Sequence, residues 1–199
     1  MIIYRKLPKK NVGFIENWFD YRVMDINVQA ESRSNVALLE GLNAGWKKSG
    51  KDLNAYVKSD DWVKRIDVSQ DDLTSLTRQY DYVSDVFLID DQANILFSTA
   101  NALDLGTNLF KGPYSATRFA RTVKASLTTG RTHFSDFERY APSNNEVSGF
   151  IVTPLIDGFG VNVGVVAIKL RTTRIYEFLQ KGTSAKLRQY LVVELNLLR

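Results

Sequence analysis

The chain reads as an α+β fold in which a long N-terminal helix precedes a five-stranded antiparallel sheet with a helical connection. Three observations predict it. From Val12 to Trp46, apolar side chains recur near a 3.6-residue period, and no proline interrupts them. After Tyr80 the texture changes to short β-rich runs separated by turn residues. Between the second and third of those runs, Phe119, Val123 and Leu127 return to four-residue spacing, so one connection is a helix.

The elements follow in order. Phe14, Ile15, Trp18, Phe19, Met24, Ile26, Val28, Val36, Leu38, Leu39, Leu42 and Trp46 make the stripe of the first helix, and Lys47 to Lys51 supplies a basic, Gly-containing end. A helix of about 30 residues is about 45 Å long, so its stripe packs on more than one neighbour or on another chain. Trp18, Trp46 and Trp62 read as packing anchors of this helical region. A second helix is expected over Leu53–Ile66 and a third from Ser69, where Ser-Gln-Asp-Asp suits a cap. Strands follow at Val83–Ile89 and Ile95–Thr99 around an Asp90–Asn94 hairpin loop, then a loop from Asn101 to Pro113 and a helix over Ser115–Thr129 that Gly130 ends. Three more strands are expected at Thr132–Glu138, Gly149–Leu155 and Val163–Leu170, then a helix over Thr172–Gln180 and a strand over Tyr190–Leu197. A sheet half-covered by its helical connection leaves room for a small ligand between the two.

Composition removes several function classes. The 199 residues include no cysteine and one histidine, His133, so thiol chemistry, cysteine-bound zinc and multi-histidine metal sites are excluded. The net charge is +4, distributed as two basic blocks around an acidic one: 12 basic and 8 acidic residues over Met1–Arg65, 1 and 8 over Ile66–Phe110, 13 and 6 over Lys111–Arg199. No Arg/Lys stripe or basic-aromatic interleaving tracks a nucleic-acid backbone, so no nucleic-acid partner is expected. The long uncharged stretch Gly158–Ile168 falls far short of the roughly 20 apolar residues of a spanning helix. Any membrane attachment would come through segments outside this chain.

His133, Ser135 and Asp136 stand close together, but on a strand the first two share a face and the third points away, so no catalytic relay is expected. No Gly-x-Ser-x-Gly elbow is present. Asp85, Asp90, Asp91 and Asp104 fit no calcium-loop spacing and read as turn and backbone partners. Gly158, Gly160 and Gly164 lie between strands, which argues against a dinucleotide fingerprint. No enzyme activity, cofactor or metal is expected. Phe134, Asp136 and Glu138 alternate on the third strand, ahead of an irregular stretch to Asn145. A buried carboxylate there requires a donor, supplied either by a ligand, with Tyr114, Arg118, Tyr140 and Asn144 around it, or by an internal pairing of Asp136 with Arg118 or Arg139.

Four stretches carry a resemblance: Asp85-Val-Phe-Leu-Ile-Asp with Asn94-Ile-Leu-Phe-Ser-Thr; Asp104-Leu-Gly-Thr-Asn-Leu with Gly112-Pro-Tyr; Phe134-Ser-Asp-Phe-Glu-Arg-Tyr-Ala-Pro-Ser-Asn; and Gly164-Val-Val-Ala-Ile-Lys-Leu. Over roughly residues 12–181 the chain resembles the extracytoplasmic Cache (PAS-like, double-Cache) sensor domains of bacterial histidine kinases, chemoreceptors and diguanylate cyclases. The resemblance implies a ligand-sensing lobe over residues 81–181 behind a helical region, 1–80, with the signalling helix, and the start of a truncated membrane-proximal lobe at 182–199. It implies a periplasmic location, a small polar or carboxylate-bearing ligand, and a homodimer formed through the N-terminal helix. The alternative within the same fold is a ligand-free dimerisation or partner-binding module. Two departures stand out. Lys111-Gly-Pro-Tyr replaces the Arg…Trp-Tyr constellation of amino-acid-binding members, and Thr183–Tyr190 lacks the glycines that open the second lobe in similar chains.

Overall fold

The computed structural model describes residues 9–69 and 71–173 of the chain. The expected helix over Thr172–Gln180, the strand over Tyr190–Leu197 and the lobe start at 182–199 fall almost wholly outside them. Among the described residues no helix is long and apolar enough to cross a membrane.

The long first helix is in fact two: α1 over Lys9–Ala30 and α2 over Arg33–Ser49. Ser32 breaks it by taking an extended backbone (φ −69°, ψ 118°) as the residue before α2. Its surroundings, Glu31-Ser-Arg-Ser, offer the backbone competing hydroxyl and turn partners where the apolar stripe lapses between Val28 and Val36. Asn35 is fully buried and donates from Nδ2 to Gln29 O at 2.8 Å, which clamps the two helices across the break. The expected second helix also divides, into α3 (Leu53–Tyr56), capped by Asp52, and α4 (Asp60–Ser69); α5 (Asp71–Gln79) follows.

Six strands form one antiparallel sheet: β1 (Val83–Asp90), β2 (Ile95–Ser98), β3 (His133–Phe134), β4 (Glu138–Tyr140), β5 (Glu146–Ile156) and β6 (Asn162–Arg171). The order is β2-β1-β6-β5-β3, with β4 also pairing β5, and α6 (Arg118–Thr129) connects β2 to β3. The strand expected over Thr132–Glu138 is therefore two short ones separated at Ser135–Phe137, and five expected strands become six.

Both faces of the sheet are covered, so β1, β5 and β6 read as nearly continuous apolar runs. One face carries the helices α1 to α5, with Leu39, Leu42, Tyr56, Trp62 and Leu73 against Val86, Leu88, Ile151, Val166 and Ile168. The other carries α6, whose Phe119 and Val123 pack on Phe87, Ile89, Phe150, Val152 and Val165. Trp62 adds a directed bond, its Nε1 donating to Leu96 O of β2 at 2.8 Å in the buried interior.

Besides Ile26 and Ala30, buried in the core, three directed contacts fix α1 to the sheet. Tyr82, just before β1, donates to Asp25 Oδ2 at 2.5 Å beneath the Arg22 guanidinium, which lies 4.0 Å from the ring centroid. Thr132 donates to Asn27 Oδ1 at 3.3 Å, and Phe19 meets Phe134 of β3 edge to face at 5.2 Å. On its outer side α1 leaves Tyr21, Met24 and Val28 61%, 63% and 65% exposed, three turns of one apolar stripe.

Gly164 of β6 allows α2 to approach. A Cβ there would collide with Ile89 O and lie 2.7 Å from Leu39 Cδ2, and its φ of 155° suits glycine. Gly164→Ala is expected to lower stability by about 1–3 kcal/mol through overpacking, read as a shift in the urea midpoint at unchanged m-value.

Candidate ligand site

Side-chain alternation along β6 places Val165, Ala167 and Lys169 toward α6. Register then sets Asp85 of β1 and Phe150 of β5 on either side of Lys169. Beneath α6 itself the space is filled: Phe119 stacks on Phe150 at 4.0 Å and 14°, and Phe87 and Tyr140 close around them at 5.3 and 5.9 Å from Phe119. The ligand-sized space expected under the helical connection is therefore packed with aromatic rings at this end. Beyond them the same face turns polar.

There Asp85 is fully buried, and Oδ1 accepts from Val86 N and Thr99 Oγ1 at 2.8 Å, Ala100 N at 3.0 Å and Ser98 Oγ at 3.1 Å. Asp104 comes in from the loop after β2, also fully buried; its Oδ2 accepts from Tyr140 Oη at 2.5 Å. Its Oδ1 has no partner among the described residues. Lys169, 7% exposed, donates from Nζ to Ser143 Oγ at 2.6 Å, which uses one of three protons. Burial pushes the Asp104 carboxyl above the ordinary aspartate range; the Tyr140 hydrogen bond opposes this, the Asp85 charge adds to it and Lys169 counters it. Asp85 is raised by burial too, against its many donors. Burial and the neighbouring Asp104 charge push the Tyr140 phenol far up, so it stays a proton donor. The cluster thus presents an acceptor without a donor beside an ammonium with donors to spare.

Of the seven residues expected to form one site, five divide between two places, while Glu138 and Asn144 take local structural roles. Tyr140 lies in the buried cluster, with the half-buried Tyr114 ring 6.3 Å away. Glu138 points to the same face but caps α6, its carboxylate accepting Arg118 N and Phe119 N at 2.8 Å each. Asn144 is exposed in a left-handed turn (φ 54°), and its neighbour Ser143 reaches Lys169 instead. Arg118, Phe134 and Asp136 line a groove of about 420 Å³ at the sheet edge, between α6 and β3. The expected alternation of Phe134, Asp136 and Glu138 on one face is corrected here. Phe134 pairs with Ile151, on the helical face, whereas Glu138 pairs with Ser148, on the α6 face. The break at Ser135–Phe137 changes the parity: Ser135 Oγ accepts from Phe150 N at 2.8 Å, and Phe137 rotates inward over Gly149. Asp136 is exposed and sits 3.7 Å from Arg118 Nη1, while Arg139 Nη1 donates to Asn145 O at 3.2 Å.

Asp85, Asp104 and Lys169 were legible as residues but not as a site. The signal was present: a lysine inside Val-Val-Ala-Ile-Lys-Leu, at the parity of the apolar Val165 and Ala167, is a buried charge awaiting partners. Asp90 is a turn residue, accepting from Gln92 N and Asn94 N at 3.0 and 2.8 Å. His133 Nε2 lies 2.7 Å from Thr129 Oγ1, so neither Ser135 nor Asp136 is its partner. Among the described residues no group of three or more His, Cys, Asp or Glu is placed to hold a metal.

No profile of a known protein family matches the chain, and no curated protein matches it in sequence. Solved structures resemble it at low identity. The sensor domain of the V. cholerae histidine kinase DctB is 17% identical with a TM-score of 0.46, covering 81% of this chain and 61% of that one. The ligand-binding domain of the Pseudomonas aeruginosa PAO1 amino acid chemoreceptor PctC, in complex with GABA, is 14% identical with a TM-score of 0.48 and covers 84% and 60%. That of the Pseudomonas fluorescens chemoreceptor CtaA, in complex with L-serine, is 14% identical with a TM-score of 0.41 and covers 81% and 63%. The chain spans 24% of an extracellular ligand binding receptor from Desulfohalobium retbaense and about three fifths of the three sensor domains.

Proposed function

We propose that the chain is the ligand-sensing part of a membrane receptor, with its ligand held on the α6 face of the sheet among Asp104, Tyr140, Lys169 and Tyr114. The observation that carries this reading is the fully buried Asp104, whose Oδ1 lacks a donor beside an ammonium with spare protons. Leaving such groups open costs about 1–3 kcal/mol each, and a small guest carrying both a donor and an acceptor satisfies them together. The resemblance carried by the Asp85, Asp104, Phe134 and Gly164 stretches supports the sensory role. A location outside the cytoplasm and a homodimer through Tyr21, Met24 and Val28 of α1 complete the proposal.

A second reading has its own observation. The stack of Phe87, Phe119, Phe150 and Tyr140 fills the space beneath α6, as expected of a module that uses this fold for dimerisation or partner binding without a small ligand.

Thermal-shift measurements with small amino, hydroxy and carboxylic acids separate the two. The sensor reading expects a compound that raises the midpoint and loses its effect in both Asp104→Asn and Lys169→Met. No shift with any of these compounds would favour the ligand-free module.

The raised carboxyl groups predict a pH dependence. Asp85 and Asp104 hold their protons more tightly when folded, so the folded state binds more protons and stability falls as pH rises above about 4, the unfolded value, through the folded-state values. Asp104→Asn keeps an acceptor for Tyr140 and removes one titrating group. Its urea-unfolding stability is expected to fall less between pH 4 and pH 8 than that of the unsubstituted chain.

A further inference from the structure

The groove at the sheet edge is chemically unlike the buried cluster and lies on different residues. One wall is α6, which carries Arg118, Arg121 and Lys124 and no acidic residue over its 12 positions. The opposite wall is His133, Phe134, Ser135 and Asp136. Donors dominate it. Arg121 is exposed and has no partner among the described residues. Arg118 gives Nη1 to Phe137 O at 3.0 Å, and its ion pair with Asp136, at 3.7 Å and with side chains 42% and 64% exposed, is too long and too wet to neutralise it. Ser135 Oγ accepts from Phe150 N, which leaves its own proton available. His133 spends Nε2 as a donor to Thr129 Oγ1, whose own proton goes to Ala125 O at 2.8 Å. Glu138, the remaining nearby carboxylate, is engaged by the first amides of α6.

We infer that this groove is a second binding site, selective for a small oxyanion of the carboxylate or phosphate class, and that α1 senses its occupant directly. Two guanidinium groups on one helix wall, one of them unpaired, suit the planar or tetrahedral oxygens of such an anion, which an arginine fork binds through two parallel hydrogen bonds. The volume of about 420 Å³ admits a small organic anion, and Phe134, 42% exposed, gives its carbon skeleton an apolar surface. The same ring contacts Phe19 of α1 edge to face at 5.2 Å. An occupant that touches Phe134 therefore acts on the N-terminal helix through one intervening side chain, independently of the Asp104 cluster.

The test is a titration of the 15N-labelled 199-residue chain with inorganic phosphate and, separately, with succinate, at constant ionic strength. Saturable amide shifts are expected along α6 and Ser135–Asp136, with shifts at Asp20 and Tyr21 that disappear in Phe134→Leu. Arg121→Glu, at an exposed position, is expected to weaken binding at least tenfold without unfolding the chain. Binding of phosphate alone assigns the phosphate source, and binding of succinate alone the carboxylate source. Shifts that fail to saturate with either anion, or that Arg121→Glu leaves unchanged, overturn the site; saturation with Phe134→Leu indistinguishable from wild type overturns its link to α1. Asp104→Asn leaves these titrations unaltered, so failure of the buried site and failure of this one are read separately.

Discussion

Burial of the sheet on both faces is the constraint from which the rest of the molecule follows. A strand between two apolar layers has nowhere to put a polar side chain except against another polar group, so Asp85 of β1 and Lys169 of β6, the charges that these two central strands place on the α6 face, occupy the same register row. Asp85 is satisfied by backbone and hydroxyl donors from its own strand and from the end of β2, which pins β2 and the following loop. The loop that follows β2 carries Asp104, which is buried and accepts from Tyr140 Oη on the same face. The polar cluster is thus a product of sheet geometry, and it forms where the aromatic layer of Phe87, Phe119 and Phe150 ends.

Coverage on both sides also explains which parts of the fold were legible. The runs Val83–Ile89 and Val163–Leu170 are nearly all apolar and could be placed within a residue or two, because a doubly buried strand declares itself by composition. The boundary between α1 and α2 was missed because Ser32 interrupts a stripe whose apolar residues resume at Val36 close to the former phase. Period alone cannot distinguish one bent helix from two. The third strand failed for a different reason: Ser135–Phe137 changes side-chain parity through a backbone bond between Phe150 and the Ser135 hydroxyl, a tertiary partner 15 residues away. Every site assignment that depended on that parity moved with it, which is why Phe134 and Glu138 lie on opposite faces.

Tyr114, Arg118 and Tyr140 were recognisable as polar side chains on the connection and its neighbouring strand, yet their grouping needed the register. Tyr140 became a buried donor because β4 pairs with the outer part of β5, opposite Glu146, which turns its ring toward Phe119 and its hydroxyl toward Asp104. Asn144 has the backbone conformation that favours asparagine in a left-handed turn, and that local role accounts for its identity without a ligand.

The attachment of α1 limits what a single contact at Phe134 can do to its position. The helix is held to the sheet by Ile26 and Ala30, buried in the core, and by the Phe19–Phe134 contact, the Tyr82–Asp25 hydrogen bond and the weaker Thr132–Asn27 bond. An aromatic edge contact is worth about 0.5–1.5 kcal/mol beyond its buried area, so loss of one such contact shifts a two-state equilibrium by up to about tenfold. A guest can move the helix by no more than its difference in affinity for the two arrangements. Full switching from 1:99 to 99:1 takes about 5.5 kcal/mol, several times what Phe134 supplies. On the proposed reading, one side chain at the groove would therefore tune the position of α1 without switching it, because the energy of a single aromatic contact is several-fold short of a full transition.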